Sequence, residues 1–440
     1  MTRTLRARAL LLHPSSKNTS RSSFMFYVVI FIVFVFLVMR RSASFFGIPP
    51  LYGGEIAIIA FAVLCMKKKT IASFVRNPMG FLSFVFVGLS IPYILAEYDD
   101  VGIQSVMYAS ISYYAIFVYF GYAIVHTHTD QQRFIYLFYY AILLSNCHSL
   151  LDAFLPLREI SPLINGVPLL GNGASSYVYF SLGIGYAILY GQTLGRIKST
   201  VLLILSLVTY IIGMERGSML GVIAVIFLLL WYRKIWLLHT VSRITQILII
   251  GAVFSALFVI LYAPKSLISR KMIDQGYLFL STIGDTPNLE GKSGTKEHRL
   301  RMWRQVITET VQEDLWFGQG FRNQLVEETF RSPHNSFVAI FGRMGLTGLS
   351  LAIILYIYFP LLVAVRLKKC RSDCSKGDLL FYLCFVGSFL GAALFSPTLE
   401  SPYSALVCNF VYGAFLRRAE SSGYIRNFHT MHNACNDSPL

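Results

Sequence analysis

The residues whose types could do chemistry gather between positions 214 and 348. His334 stands in the run Ser332-Pro333-His334-Asn335-Ser336-Phe337, just ahead of a long apolar stretch. Ser332 can cap a helix whose first residue is Pro333, where the missing N–H costs nothing, so His334 is predicted in the first helical turn. Free N–H groups and the dipole at such a start attract an anion and bias the imidazole toward its neutral form, which can accept a proton. A second cluster, Met214-Glu215-Arg216-Gly217-Ser218, occupies a short turn between apolar runs, where Arg216 is held near the bilayer surface and can pair bidentately with phosphate. Arg343 lies inside an apolar run, an expensive place for a charge unless it faces a polar cavity or a partner. With Arg299, Arg301, Arg304 and Arg322 these groups fit one chemistry, binding a diphosphate leaving group while deprotonating an attacking hydroxyl. The blander alternatives are an interfacial histidine without a chemical role and an Arg216–Glu215 pair anchoring a turn.

Such a site needs a frame, and composition indicates which. Apolar residues make up 55% of the 440 and charged residues only 14%, well below the soluble average of about 25%. About 240 apolar side chains would fill twelve membrane helices of about 20 residues each. Apolar runs occur near 24–39, 50–66, 79–96, 101–125, 134–155, 174–192, 199–214, 217–232, 244–262, 336–365, 379–396 and 402–416. The first follows a basic segment but is trailed by Arg40 and Arg41 rather than small residues, so it reads as an uncleaved span.

The chain thus divides into a basic tail (1–23), nine spans (24–262), a long loop (263–335), three spans (336–416) and a second tail (417–440). With both tails cytoplasmic, 23 Lys and Arg lie inside, against 4 outside once the long loop is set aside. The long loop then lies on the extracytoplasmic side and should contain structure of its own. Leu300, Trp303, Ile307 and Val311 recur at helical spacing, so 299–314 reads as an amphipathic helix on or near the membrane surface. Gly342, Gly345 and Gly348 read as close helix packing, and Gly318 and Gly320 as turn residues.

Other classes are disfavoured. The net charge of +16 sits in short clusters between apolar runs, a topology pattern rather than a nucleic-acid patch. The seven cysteines are scattered and absent from 264–335, so no disulfide framework is expected; Cys370 and Cys374 form a lone pair without a second, and zinc is not expected either. His126, His128, His429 and His432 read as solvated. No HExxH motif, metal-ligand cluster or Walker loop is present, so no metal or cofactor is expected.

The ordered set Arg216-Gly217, Arg299 four residues before Trp303, Leu315-Trp316-Phe317-Gly318-Gln319-Gly320, then Pro333-His334-Asn335-Ser336 with Gly345 and Gly348 resembles the bacterial O-antigen ligase and polysaccharide polymerase superfamily. The motifs span about 215–350; Trp316 stands where a proline is common. The resemblance implies an all-α, polytopic inner-membrane glycosyltransferase that is lipid-carrier-dependent and metal-independent and acts with inversion on an undecaprenyl-diphosphate-linked glycan. Arg216 and Arg299 would hold the diphosphate, with Arg301, Arg322 and Arg343 as further binding candidates, and His334 would activate the acceptor hydroxyl. The expected activity is polymerisation of repeat units for O-antigen, capsule or exopolysaccharide, with chain-length regulators or export proteins as partners. The alternatives are ligation of the glycan onto lipid A core in lipopolysaccharide synthesis and, from another class, a flippase or exporter, which would not need a large loop ending in His334.

Overall fold

A computed structural model describes residues 20–48, 51–125, 127–155, 157–170, 177–212, 216–232, 293–321, 333, 335–369, 376–394, 396 and 398–424. Within them the chain is almost entirely helical: α1 (Ser20–Met39), α2 (Arg41–Ser44), α3 (Gly53–Cys65), α4 (Lys68–Arg76), α5 (Pro78–Gly88), α6 (Ser90–Val101), α7 (Ile103–Tyr108), α8 (Ser110–Tyr113), α9 (Ile116–Ile124), α10 (His128–Phe154), α11 (Leu157–Ile160), α12 (Tyr177–Leu194), α13 (Arg196–Ile212), α14 (Arg216–Tyr232), α15 (Ser293–Glu313), α16 (Ser336–Ile353), a π-helical turn (Ile354–Tyr358), α17 (Phe359–Lys369), α18 (Lys376–Ala393) and α19 (Pro402–Ser421). The described strands are two short antiparallel hairpins, β1 (Gly47–Ile48) with β2 (Leu51–Tyr52) and β3 (Leu163–Ile164) with β4 (Val167–Pro168), which the sequence reading did not anticipate.

Among the described residues three helical stretches, Pro78–Asp99, Thr129–Asp152 and Ser336–Leu367, are long and apolar enough to cross a membrane, and seven shorter apolar helices accompany them. Large apolar side chains such as Phe31, Val63, Leu95, Leu144, Ile197 and Phe227 are exposed on the outsides of these helices. That suits a bundle whose solvent is hydrocarbon, because lipid tails are as apolar as the side chains themselves. This is an all-α membrane protein.

Eleven of the twelve predicted runs coincide with helices; the run 244–262 lies outside the described residues, as do 263–292 and 322–332 of the long loop. Some runs differ in form: 79–96 is divided between α5 and α6, and 336–365 among α16, the π-helical turn and α17. The stretch 101–125 is not one helix but α7, α8 and α9 in succession. Here Ser110 and Ser112 turn their hydroxyls to the carbonyls of Glu400 and Phe86, and such side-chain bonds compete with a continuous helical ladder. The last helix also outruns the expected boundary at 416, because Arg418 reaches Asp378 at the start of α18 at 2.7 Å and holds the end of α19 against the bundle.

Side-chain bonds sort the helix ends into two sets. At one end, Tyr119 bonds the Cys65 carbonyl, Tyr122 bonds Ser73 and Glu420, and Gln131 bonds Ala414 and Tyr382. At the other end, Ser42 donates to the Pro168 carbonyl and Asn165 donates to the carbonyls of Phe45 and Gly47, tying the two hairpins together. Asn165 takes a left-handed φ of 50° in an Asn-Gly turn, the usual chemistry of a two-residue hairpin. Arg40, buried just after the end of α1, donates to the Ser145 carbonyl and hydroxyl and to the Ser149 hydroxyl on α10.

Candidate active site

The helix that follows His334 begins later than expected. Asn335, not Ser332, is the N-cap of α16: its Oδ1 accepts from the N–H groups of Phe337 and Val338 at 3.0 and 3.1 Å. Position 334 therefore precedes the cap instead of lying in the first turn. Since the Asn335 side chain already uses two of the free N–H groups, this helix start offers less to an anion than a bare one would. His334 itself lies outside the described residues, but both its neighbours, Pro333 and Asn335, are buried. Ser336 anchors the start further, donating to the Ser396 carbonyl and accepting from the Leu399 N–H, both at 3.1 Å.

The predicted amphipathic helix exists and is longer, Ser293–Glu313. Its packed face is a second stripe beside the expected one. Met302, Val306 and Thr310 are buried and recur every four residues, whereas Leu300, Ile307 and Val311 are exposed. This helix therefore has two apolar strips, one against α16 and one facing outward. At 3.6 residues per turn, Arg299 lies one turn before Trp303 and almost in line with Val306, while Arg301 is rotated about 160° from Arg299. Arg299 is accordingly half-buried, and Arg301 and Arg304 are exposed. Trp303 donates its indole N–H to the Pro333 carbonyl at 2.6 Å, which brings this face of α15, and Arg299 with it, to the residue preceding His334. Arg299 and Arg301, both candidate diphosphate ligands, thus leave the helix on opposite sides.

After α15 the chain folds back as a strip, Leu315–Phe321, laid along α16. Gln319 and Gly320 donate to the carbonyls of Gly342 and Arg343 at 2.7 and 3.0 Å, and Leu346 and Thr347 donate to those of Leu315 and Trp316 at 2.9 and 3.1 Å. A helix can offer these groups only if its own ladder is interrupted, and it is broken at Gly345, where φ is 58° and ψ −157°. A Cβ on Gly345 would lie 2.4 Å from the Trp316 carbonyl carbon, and one on Gly318 would lie 2.5 Å from the Gly345 nitrogen. Gly318 and Gly320 are turn residues as expected, with φ of 77° and 74°. Gly345, expected to serve helix–helix packing, instead serves the contact between helix and strip. Gly345→Ala is expected to lower the melting temperature in detergent more than Gly102→Ala. Both positions have φ near 60°, a strain of about 1–3 kcal/mol for alanine, but only Gly345 adds the clash; Gly102 has open space around it. Equal losses would mean that the strip does not contact the helix.

Arg343 was expected to meet a cavity or a partner, and it meets a partner. Its side chain is buried, Nη1 donates to the Gly320 carbonyl at 3.1 Å, and the guanidinium stacks over the Tyr108 ring at 4.7 Å. A group so committed holds the strip. Two residues of α6 that sequence reasoning passed over hold the strip from its other side: Tyr93 donates to the Phe317 carbonyl at 2.7 Å and Glu97 accepts from the Phe321 N–H at 3.2 Å. The sequence signal for Glu97 is a carboxylate placed directly after the apolar run 79–96.

Arg216 is the first residue of α14. One turn on, Gly221 packs against Gly391 of α18, whose added Cβ would lie 2.6 Å from the Gly221 nitrogen. The chain leaving α18 then reaches Ser336 through Ser396 and Leu399. The starts of α14 and α16 therefore lie at the same end of the bundle, the end that also carries Arg299, Glu97 and Glu400. Arg322 lies outside the described residues.

No curated protein matches the chain. Residues 201–353, which contain Arg216, Arg299, the strip and the whole of α16, match the O-antigen ligase family, whose members are glycosyltransferase-like enzymes of polysaccharide synthesis. That match, over about a third of the chain, supports membership of the O-antigen ligase and polysaccharide polymerase superfamily.

Proposed function

We propose that this protein polymerises undecaprenyl-diphosphate-linked oligosaccharide repeat units at the periplasmic face of the bacterial inner membrane. In this reading the chain spans the membrane twelve times with both termini in the cytoplasm, and the strip, α15 and the starts of α14 and α16 face the periplasm. A hydroxyl of the acceptor repeat unit gives its proton to His334 and attacks the anomeric carbon of the donor glycan. The anomeric C–O bond to the diphosphate breaks with inversion, and undecaprenyl diphosphate departs with the bonding pair. Arg216 and Arg299 stabilise that leaving group as charge develops on it, which removes the need to protonate it. Energy comes from the preactivated donor, so neither nucleotide nor metal is required. The exposed strip of Leu300, Ile307 and Val311, continued by Trp316 and Phe317, rests α15 on the outer leaflet, with Arg301 and Arg304 toward lipid phosphates.

The observation that carries this reading is the convergence at one bundle end of the Arg216 helix start, the packed face of α15 with Arg299, and the residues on either side of His334. The description of the matched family favours a second reading, ligation of finished glycan to lipid A core. Glycan analysis of a deletion strain separates them. A lost polymerase leaves single repeat units on the cell surface, whereas a lost ligase leaves polymer stranded on the carrier. Lipid-linked material retained inside the cell would overturn both in favour of an exporter.

A further inference from the structure

The Gly320–Phe321 peptide group is held at both ends by opposite charges. Its carbonyl oxygen accepts from the Arg343 guanidinium at 3.1 Å, and its N–H donates to the Glu97 carboxylate at 3.2 Å. In a trans peptide these two bonds point in opposite directions, so the cation sits at the negative end of the peptide dipole and the anion at the positive end. The fit is close: a Cβ on Gly320 would fall 2.0 Å from Glu97 Oε1. This peptide terminates the strip that continues directly from α15. The strip is joined to α15 again by Gln319, which donates to Thr310 at 3.3 Å, and α15 is joined to the entry of α16 by Trp303. Displacing the peptide therefore displaces the platform from which Arg299 projects.

We propose that Glu97, on a helix that contributes no candidate ligand, is a positioning residue for the transfer site, acting with Arg343 through this one peptide to fix α15 over the start of α16. The proposal rests on the transferase reading above. Its chemistry is specific. Glutamine at 97 keeps an oxygen for the Phe321 N–H and loses only the charge, while alanine loses both.

The test uses the full-length protein in membranes of a deletion strain, supplied with lipid-linked repeat units extracted from that strain, and reads two quantities: the rate of polymer formation, and amide hydrogen exchange over 315–321. Glu97→Ala is expected to speed exchange of these amides and to lower the rate up to about 10²-fold, the scale on which a 1 Å misplacement acts. Glu97→Gln should recover most of both, and Tyr98→Ala, an exposed neighbour, should change neither. The proposal is overturned by unchanged exchange in Glu97→Ala, by faster exchange with full activity, or by a glutamine variant as damaged as the alanine one. Wild-type activity in His334→Ala would instead sink the reaction assignment, and the exchange result would still report on the clamp.

Discussion

Changing His334 to Ala is expected to abolish polymer formation while leaving the protein folded in the membrane. The first half follows from the proposed role: removing a general base costs about 10²- to 10⁴-fold, enough to take cell-surface polymer below detection on a gel. The second half follows from the cap. Asn335 supplies the side-chain acceptor for the first N–H groups of α16, and Ser336 bonds Ser396 and Leu399, so the substitution leaves these anchors of the helix start in place. Loss of polymer with unchanged membrane abundance and melting temperature is the expected pair of results. Retained polymer would remove His334 from the site.

The second large effect is a contrast between near neighbours. Arg299→Ala should reduce the rate of transfer by about 10²- to 10³-fold, the usual scale for deleting one preorganised electrostatic contact to a developing charge, while Arg301→Ala should stay within about twofold of wild type. The two arginines are separated by one residue in sequence and by about 160° around the helix. Arg299 shares the face that carries Val306 and Trp303, and Arg301 points away from it. Initial rates of polymer formation by the two variants decide the matter. Equal losses would mean that the helix is rotated from the position described.

How far the site could be read from sequence alone depended on whether the relevant signal was local. The apolar runs are local, and α10, α12, α14 and α18 lie where the composition puts them. The existence of α15 was legible for the same reason. Its second, packed strip was not, because Met302-Val306-Thr310 has the same helical spacing as Leu300-Ile307-Val311 but is less apolar, and nothing local marks it for the core. The start of α16 was placed at the Ser332 cap, whereas Asn335, three residues on, is the cap that the packing around Ser336 selects. Arg343 could be recognised as needing a partner, but Gly320, Tyr108 and Glu97 are 23 or more positions away and carry no mark of it. The Asn165-Gly166 hairpin was locally legible and was passed over because the surrounding segment was read as a connection between spans.

The burial of Arg40 has a consequence in time. Its hydrogen bonds to Ser145 and Ser149 join the end of the first helix to a helix whose residues lie 105 to 109 positions later. At a synthesis rate of about 5–20 residues per second, that interval lasts about 5–20 s. During it the guanidinium stands at the rim without those bonds, and α1 is free to shift in depth. Those bonds close only once α10 has emerged, so the final setting of the first helix's last charge comes well after that helix itself is made.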